Sequence, residues 1–223
     1  MLESRLEQTT LLKLQGREML IGTNTYQLVE LFAERVVPEM LERHSHFVAR
    51  RGSDNLMCMI KLCFQSHPGR ATDDEVAACA AWGKKQLERD IRALQVTESI
   101  VETPYLLEHA ILRQDDIHEY PGGYISAIVM SKMPGKPADE YDGLTTSERS
   151  LIKGRVTSIL ESMRLVGWKM SEGYPELVVY DRSTGNVSIT GLNRGSELDP
   201  NRTVPITEDS SLVNGFGQDI WWE

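Results

Sequence analysis

The chain has 223 residues, three cysteines and a formal charge of −9 at pH 7. That length suits one domain, or a small lobe with a larger one, and the acidic balance means a polyanionic partner has to meet a local basic patch. Cys58, Cys63 and Cys79 show no CxxC spacing, which argues against a disulfide scaffold or a zinc site and for a reducing compartment.

No apolar run reaches the roughly 20 residues of a membrane-spanning helix. The acidic start, Met1-Leu2-Glu3-Ser4-Arg5-Leu6-Glu7, lacks the apolar centre of a secretion signal. The expectation is a cytoplasmic protein with no membrane contact and no bound metal.

Residues 2–20 mix polar and apolar side chains without a firm period and read as a short helix or a pair of strands. From Thr25, Leu28, Leu31, Phe32 and Val36 recur at helical spacing until Pro38; this predicts a helix that Met40 and Leu41 continue after a kink. Residues 46–50 and 56–64 read as a hairpin around the turn formers Arg51-Gly52-Ser53-Asp54-Asn55. Lys61, among apolar neighbours near the end of the second strand, reads as a snorkelling edge residue or as a functional cation. Thr72 with Glu75 three residues later is a capping-box pattern. It opens a helix to about Leu94, with Val76, Ala80, Gly83, Leu87, Ile91 and Leu94 on one face. Lys85, Arg89 and Arg92 share the opposite face, as a solvated stripe or a phosphate-facing patch.

Residues 105–107 and 110–112 read as strand, and 125–130 as its return, with the turn Tyr120-Pro121-Gly122-Gly123 between them. Asp115, Asp116 and Glu119 then sit at a hairpin end. Met133-Pro134-Gly135-Lys136-Pro137 reads as a hinge between two lobes, about 1–133 and 134–223. Thr145 or Thr146 caps a helix with the stripe Leu151, Ile152, Val156, Ile159, Leu160 and Met163, stopped by Gly167. Residues 177–180 and 187–190 form a second hairpin, and Trp221 and Trp222 are expected to dock onto the body.

Over residues 46–195 this order resembles the protein-kinase-like fold, especially its small-molecule kinase branch. The resemblance implies an α+β chain with a small β-rich lobe, a long helix and a truncated, mostly helical second lobe. It puts Lys61 where the phosphate-binding strand lysine stands, with Glu88 on the following helix as its ion-pair partner. The catalytic set does not carry over. A kinase needs an aspartate base, an asparagine five residues later and a metal-binding aspartate; Ser171, Glu176 and Gly191 fall at those places. No glycine-rich phosphate loop precedes Lys61. Phosphotransfer is not expected; a catalytically dead, pseudokinase-like binding protein is one alternative.

The acidic cluster itself fits three chemistries: a solvated hairpin end, an oxygen-rich magnesium site, or a group that handles protons and cations. Asp115-Asp116-Ile117-His118-Glu119 also fits the pattern DDxxE, and in a chain of this length and layout it resembles the fungal arginine-containing cyclodipeptide synthases. That resemblance implies an aminoacyltransferase without a cofactor. It joins arginine and a second amino acid, taken from arginyl-tRNA and another aminoacyl-tRNA, into a cyclo(Arg-Xaa) diketopiperazine. Asp115, Asp116 and Glu119 would be its catalytic residues, and Lys61, Glu88 and His118 would bind substrate. A guanidinium prefers planar, bidentate carboxylate partners, and a carboxylate can help remove a proton from an α-amine of pKa near 7.7. The tRNA would meet Lys84, Lys85, Arg89 and Arg92 on the long helix and Arg50 and Arg51 at the hairpin.

Overall fold

Six β-rich runs in the first part of the chain pair as one antiparallel sheet: β1 (Glu18–Ile21), β2 (Asn24–Val37), β3 (Glu42–Arg51), β4 (Met57–Gln65), β5 (Leu106–Arg113) and β6 (Tyr124–Ser131), in the order β1-β2-β3-β4-β6-β5. The computed structural model describes residues 11–217, 220 and 221. The chain forms two compact units, one from the residues up to Ile91 with Leu106–Lys132, the other from Arg92–Tyr105 with Met133 onward.

In the first unit, side chains from alternate strand positions meet on one face of the sheet. Tyr26, Leu28, Phe47, Ile60, Leu62 and Ile125 form its core, closed by Leu11 and Leu14 of a 3₁₀ turn, Leu11–Leu14. The sheet curls enough for its two edges to be latched. Glu108 on β5 accepts hydrogen bonds from Thr23 N at 2.5 Å, Asn24 Nδ2 at 3.2 Å and the Tyr26 hydroxyl at 2.9 Å. Such a latch protects edge strands that would otherwise offer unpaired backbone to another chain.

The predicted helix from Thr25 is instead the strand β2. Its pairing with β3 shifts register between Leu28 and Glu30 and again between Leu31 and Ala33. Each bulge inserts a residue and resets the alternation, so Leu28 and Leu31 both face the core three residues apart. Two bulges thus imitate helical spacing. Beyond β2, a 3₁₀ turn, Pro38–Met40, ends at Leu41 in the left-handed region (φ 50°). Of the first twenty residues, 1–10 lie outside those described, and the rest form the 3₁₀ turn and β1.

α1 (Asp73–Val96) begins as its capping pattern predicts. Thr72 N donates to Glu75 Oε2 at 2.7 Å, and Glu75 N donates back to Thr72 Oγ1 at 3.3 Å. It lies on the sheet face opposite the core. At Gly83 a Cβ atom would fall 2.5 Å from Glu42 Oε1 and 2.8 Å from the Tyr124 hydroxyl. The glycine costs the helix about 1 kcal/mol relative to alanine, and it lets α1 approach the sheet this closely.

The second unit is built on α2 (Thr146–Leu165), opened by a full capping box between Thr145 and Glu148. Its buried face, Ile152, Val156, Ile159, Leu160 and Met163, is the predicted stripe without Leu151, which is exposed. β7 (Lys136–Pro137), β9 (Val178–Asp181) and β10 (Asn186–Ile189) make a three-stranded sheet. β8 (Trp168–Met170) and β11 (Gly195–Glu197) make a two-stranded one, and α3 (Ser211–Phe216) follows. Residues 92–105 belong to this unit, where Glu102 O accepts from Ile189 N at 3.0 Å. Trp221 docks as expected, donating from Nε1 to Val213 O at 3.3 Å; Trp222 lies outside the described residues. Among the described residues no helix is long and apolar enough to cross a membrane.

Candidate functional site

The DDxxE sequence closes the β5–β6 hairpin as an ordered turn. Gln114 anchors it: its N donates to Gly123 O at 2.7 Å, its Nε2 to Gln65 O at 2.6 Å and Tyr124 O at 3.1 Å, and its Oε1 accepts from Tyr120 N at 3.2 Å. Asp115 Oδ1 accepts from Ile117 N at 3.2 Å and lies 2.6 Å from His118 Nδ1. The His118 ring is nearly enclosed, 5.5 Å from the Phe64 ring between centroids, and its Nε2 has no hydrogen-bond partner among the described residues. Glu119 Oε2 accepts from Arg43 Nε at 3.1 Å, and Arg43 Nη1 donates to Glu34 Oε1 at 2.7 Å. Lys13 Nζ donates to Ile117 O at 2.8 Å. Asp115 Oδ1, His118 Nδ1 and Glu119 Oε2 therefore help to hold the turn. Asp116 is exposed, and no described residue pairs with its carboxylate.

Lys61 does not lie at a sheet edge. It sits in β4 between β3 and β6, opposite His46 and Ile128. Its Nζ donates to Asp90 Oδ2 at 2.5 Å, with side chains 11% and 8% exposed. Burial works against the Lys61 charge, but the Asp90 carboxylate outweighs it and holds the ammonium above its ordinary pKa. Asp90 Oδ1 is buried, with no hydrogen-bond partner among the described residues. Glu88, the expected partner, is exposed and sits 3.9 Å from Lys84. The helix phase decides this: Asp90 lies three residues after Leu87 and four before Leu94, on the buried stripe, whereas Glu88 is turned a further 100° or so from Leu87.

On the same sheet face, Glu42 Oε2 lies 2.6 Å from His44 Nε2, and Glu42 Oε1 accepts from the Tyr124 hydroxyl at 2.7 Å. Cys63 stands opposite His44, its thiol pushed up to about 12 mainly by burial. His46, also on this face, is held down to about 3, first by desolvation and then by Lys61, His44 and Arg35. A histidine that stays neutral when folded but takes a proton when unfolded favours unfolding as pH falls. Stability should therefore be level above the ordinary histidine value of 6.5, so far as His46 contributes, and should decline below it at up to ~1.4 kcal/mol per pH unit. Urea unfolding at pH 7, 6 and 5 checks this, since His46→Gln should flatten that part of the slope.

The structure does not bring the predicted residues to one place. Lys61 is four residues inside β4 from Gln65, which contacts the acidic turn, about 13 Å along a strand. Arg50 and Arg51 lie at the opposite end of the sheet from that turn, near the start of β4, and Arg51 Nη2 pairs with Asp54 Oδ2 at 2.6 Å. Arg92 is in the second unit, with Nε 2.5 Å from Glu197 Oε1. Lys84, Lys85 and Arg89 share the exposed side of α1. In the second unit, Ser171 follows β8 with its N donating to Arg194 O, Glu176 lies in the 3₁₀ turn Pro175–Leu177, and Gly191 is left-handed at φ 66°.

No protein-family model matches the chain, and no curated protein matches it. Among solved structures it is similar to vaccinia related kinase 3, with a TM-score of 0.50 and 10% sequence identity over 82% of this chain and 52% of that one. The chain thus spans about half the length of that kinase. At this identity the likeness speaks for fold alone: kinase-like, mixed α/β, with a β-rich unit.

Proposed function

We propose that the chain is an aminoacyl-tRNA-dependent cyclodipeptide synthase that takes arginine as one of its two residues. On this reading the kinase-like scaffold, with a shortened, helix-rich second lobe, serves chemistry other than phosphotransfer. The observation that carries it is the DDxxE turn, in which Asp115, His118 and Glu119 are engaged in holding the loop while the Asp116 carboxylate is left open. An open carboxylate on a braced turn is what a guanidinium needs for a charge-assisted bond with little ordering cost.

The reaction is two aminolyses. The α-amine of one aminoacyl group attacks the ester carbonyl of the other; the carbon–oxygen bond to the tRNA ribose breaks, and the released hydroxyl takes up the proton. The free amine of the dipeptidyl ester then closes the ring and releases the second tRNA. Both acyl groups arrive activated, so no ATP is consumed on this protein. An α-amine with a pKa near 7.7 is partly unprotonated at neutral pH, which keeps the demand on a base small. Lys84, Lys85 and Arg89 offer the exposed cations for tRNA, and such contacts make binding weaken steeply with salt.

Product analysis tests the proposal. Protein, tRNA, ATP, synthetases and amino acids are incubated with and without isotope-labelled arginine. The expected product has the mass of arginine plus one amino acid minus two waters, shifts with the label and needs tRNA. Its absence, with charged tRNA and folded protein confirmed, removes the proposal. The buried Lys61–Asp90 pair favours a second reading, a catalytically dead kinase-like protein that binds a nucleotide; a nucleotide titration in the product-free case decides it.

A further inference from the structure

We propose that Glu42, His44 and Cys63 bind one divalent ion of the zinc class. One donor atom from each lies within 4.8 Å of the others. The backbone fixes this arrangement. Glu42 and His44 are two residues apart on β3 and so share a face, and Cys63 on β4 is directly opposite His44. All three are at least nine-tenths buried, at 2%, 7% and 9% exposure.

The donors point to the metal. Thiolate, imidazole and carboxylate together suit zinc or cobalt(II), and a magnesium or calcium site would be all oxygen. A divalent ion also balances charge: one thiolate and one carboxylate neutralise it in a place where net charge is costly. Tyr124, whose hydroxyl donates to Glu42 Oε1 at 2.7 Å, is placed to orient the carboxylate from behind.

A metal-free cluster has to be weighed against this. Glu42, His44 and Tyr124 already satisfy one another. Cys63 does not take part: among the described residues its thiol makes no hydrogen bond, whereas Cys58 donates to Ala49 O at 3.5 Å and Cys79 to Glu39 O at 3.7 Å. An enclosed thiol facing an imidazole and a carboxylate, with no partner of its own, is the unexplained group that an ion accounts for. Binding displaces the thiol proton to solvent and opens the 2.6 Å contact of His44 and Glu42 to the roughly 3.4 Å of two ligands on a tetrahedral ion. Arg35, whose Nη2 lies 3.5 Å from His44 Nδ1 and which is exposed, turns to water as that nitrogen takes the ring proton. Lys61, the other cation near Cys63, is held by Asp90.

Such an ion would staple β3 to β4 beside Gln65, whose carbonyl anchors the acidic turn through Gln114. The three protein ligands leave the fourth position of a tetrahedral ion to water, and the inference stands whether or not the chain makes dipeptides. The test is cobalt(II) titration of the chelator-treated full chain. One equivalent should bind with a thiolate charge-transfer absorption, zinc should displace it, and zinc should raise the melting temperature. Cys63→Ser and His44→Gln should each weaken binding by ~100-fold or more, with the thiolate band lost in Cys63→Ser. Cys58→Ser and Cys79→Ser should keep both binding and band. Uptake below one equivalent, a cobalt complex without the thiolate band, or binding unaffected by Cys63→Ser overturns the proposal. If Cys63→Ser does not fold, the wild-type band, its stoichiometry and His44→Gln decide.

Discussion

Asp116→Asn should reduce cyclodipeptide formation by ~100-fold or more and leave folding stability within about 0.5 kcal/mol of the parent. The side chain keeps its size and loses only its charge. It is exposed and makes no contact that braces the turn, so nothing in the fold depends on it. Asp115→Asn is the contrast: Asp115 supports Ile117 N and His118 Nδ1, and its replacement should cost about 1 kcal/mol as well as activity. Product yield by mass spectrometry, set beside thermal unfolding of the same samples, separates the two cases. A folded Asp116→Asn protein with undiminished yield would sink the assignment.

What the sequence could and could not reveal follows from the range of each signal. Local patterns were readable. The capping boxes at Thr72 and Thr145, the strand runs of β3 to β6 and the turn at Gly122-Gly123 all declare themselves within a few residues. β2 misled because its two bulges let Leu28 and Leu31 face the core three residues apart. Asp90 was legible in principle, since it falls on the same stripe as Leu87 and Leu94, but a carboxylate on an apolar stripe draws attention only once a buried cation is known to need it. The grouping of Glu42, His44 and Cys63 depends on the β3–β4 register. Cysteine spacing, which argued against a zinc site, carries no information about ligands on different strands.

The basic residues show the same limit. Read as a list, Arg50, Arg51, Lys84, Lys85, Arg89 and Arg92 look like one patch. In the structure Arg51 and Arg92 each meet a carboxylate, and Arg50 stands at the sheet end away from the acidic turn. On the proposed function, attraction of tRNA would rest on the outer side of α1, where Lys84, Lys85 and Arg89 are exposed and Lys84 itself lies 3.9 Å from Glu88. On a chain of charge −9, that makes weak, strongly salt-dependent binding the expectation.

Lys61→Met should be among the most destabilising single changes in the first unit. It leaves the Asp90 carboxylate buried with neither oxygen paired among the described residues, since Oδ1 already lacks a partner there. Removing one member of a buried pair costs about 3–5 kcal/mol, which for a chain of this size lowers the melting temperature by ~10 °C. The double replacement Lys61→Met with Asp90→Leu should recover most of that loss, because no charge is then left in the interior. Thermal unfolding of both variants measures the stability, and the double variant goes further. It keeps the fold while deleting the cation and its counter-ion, so product formation and nucleotide binding can be read without the confusion of unfolding. If the pair only braces α1 against β4, the double variant makes product at the parental rate. If Lys61 contacts a ligand, the variant folds and melts normally yet loses whichever activity that ligand supports, and which activity is lost distinguishes a synthase from a nucleotide-binding module.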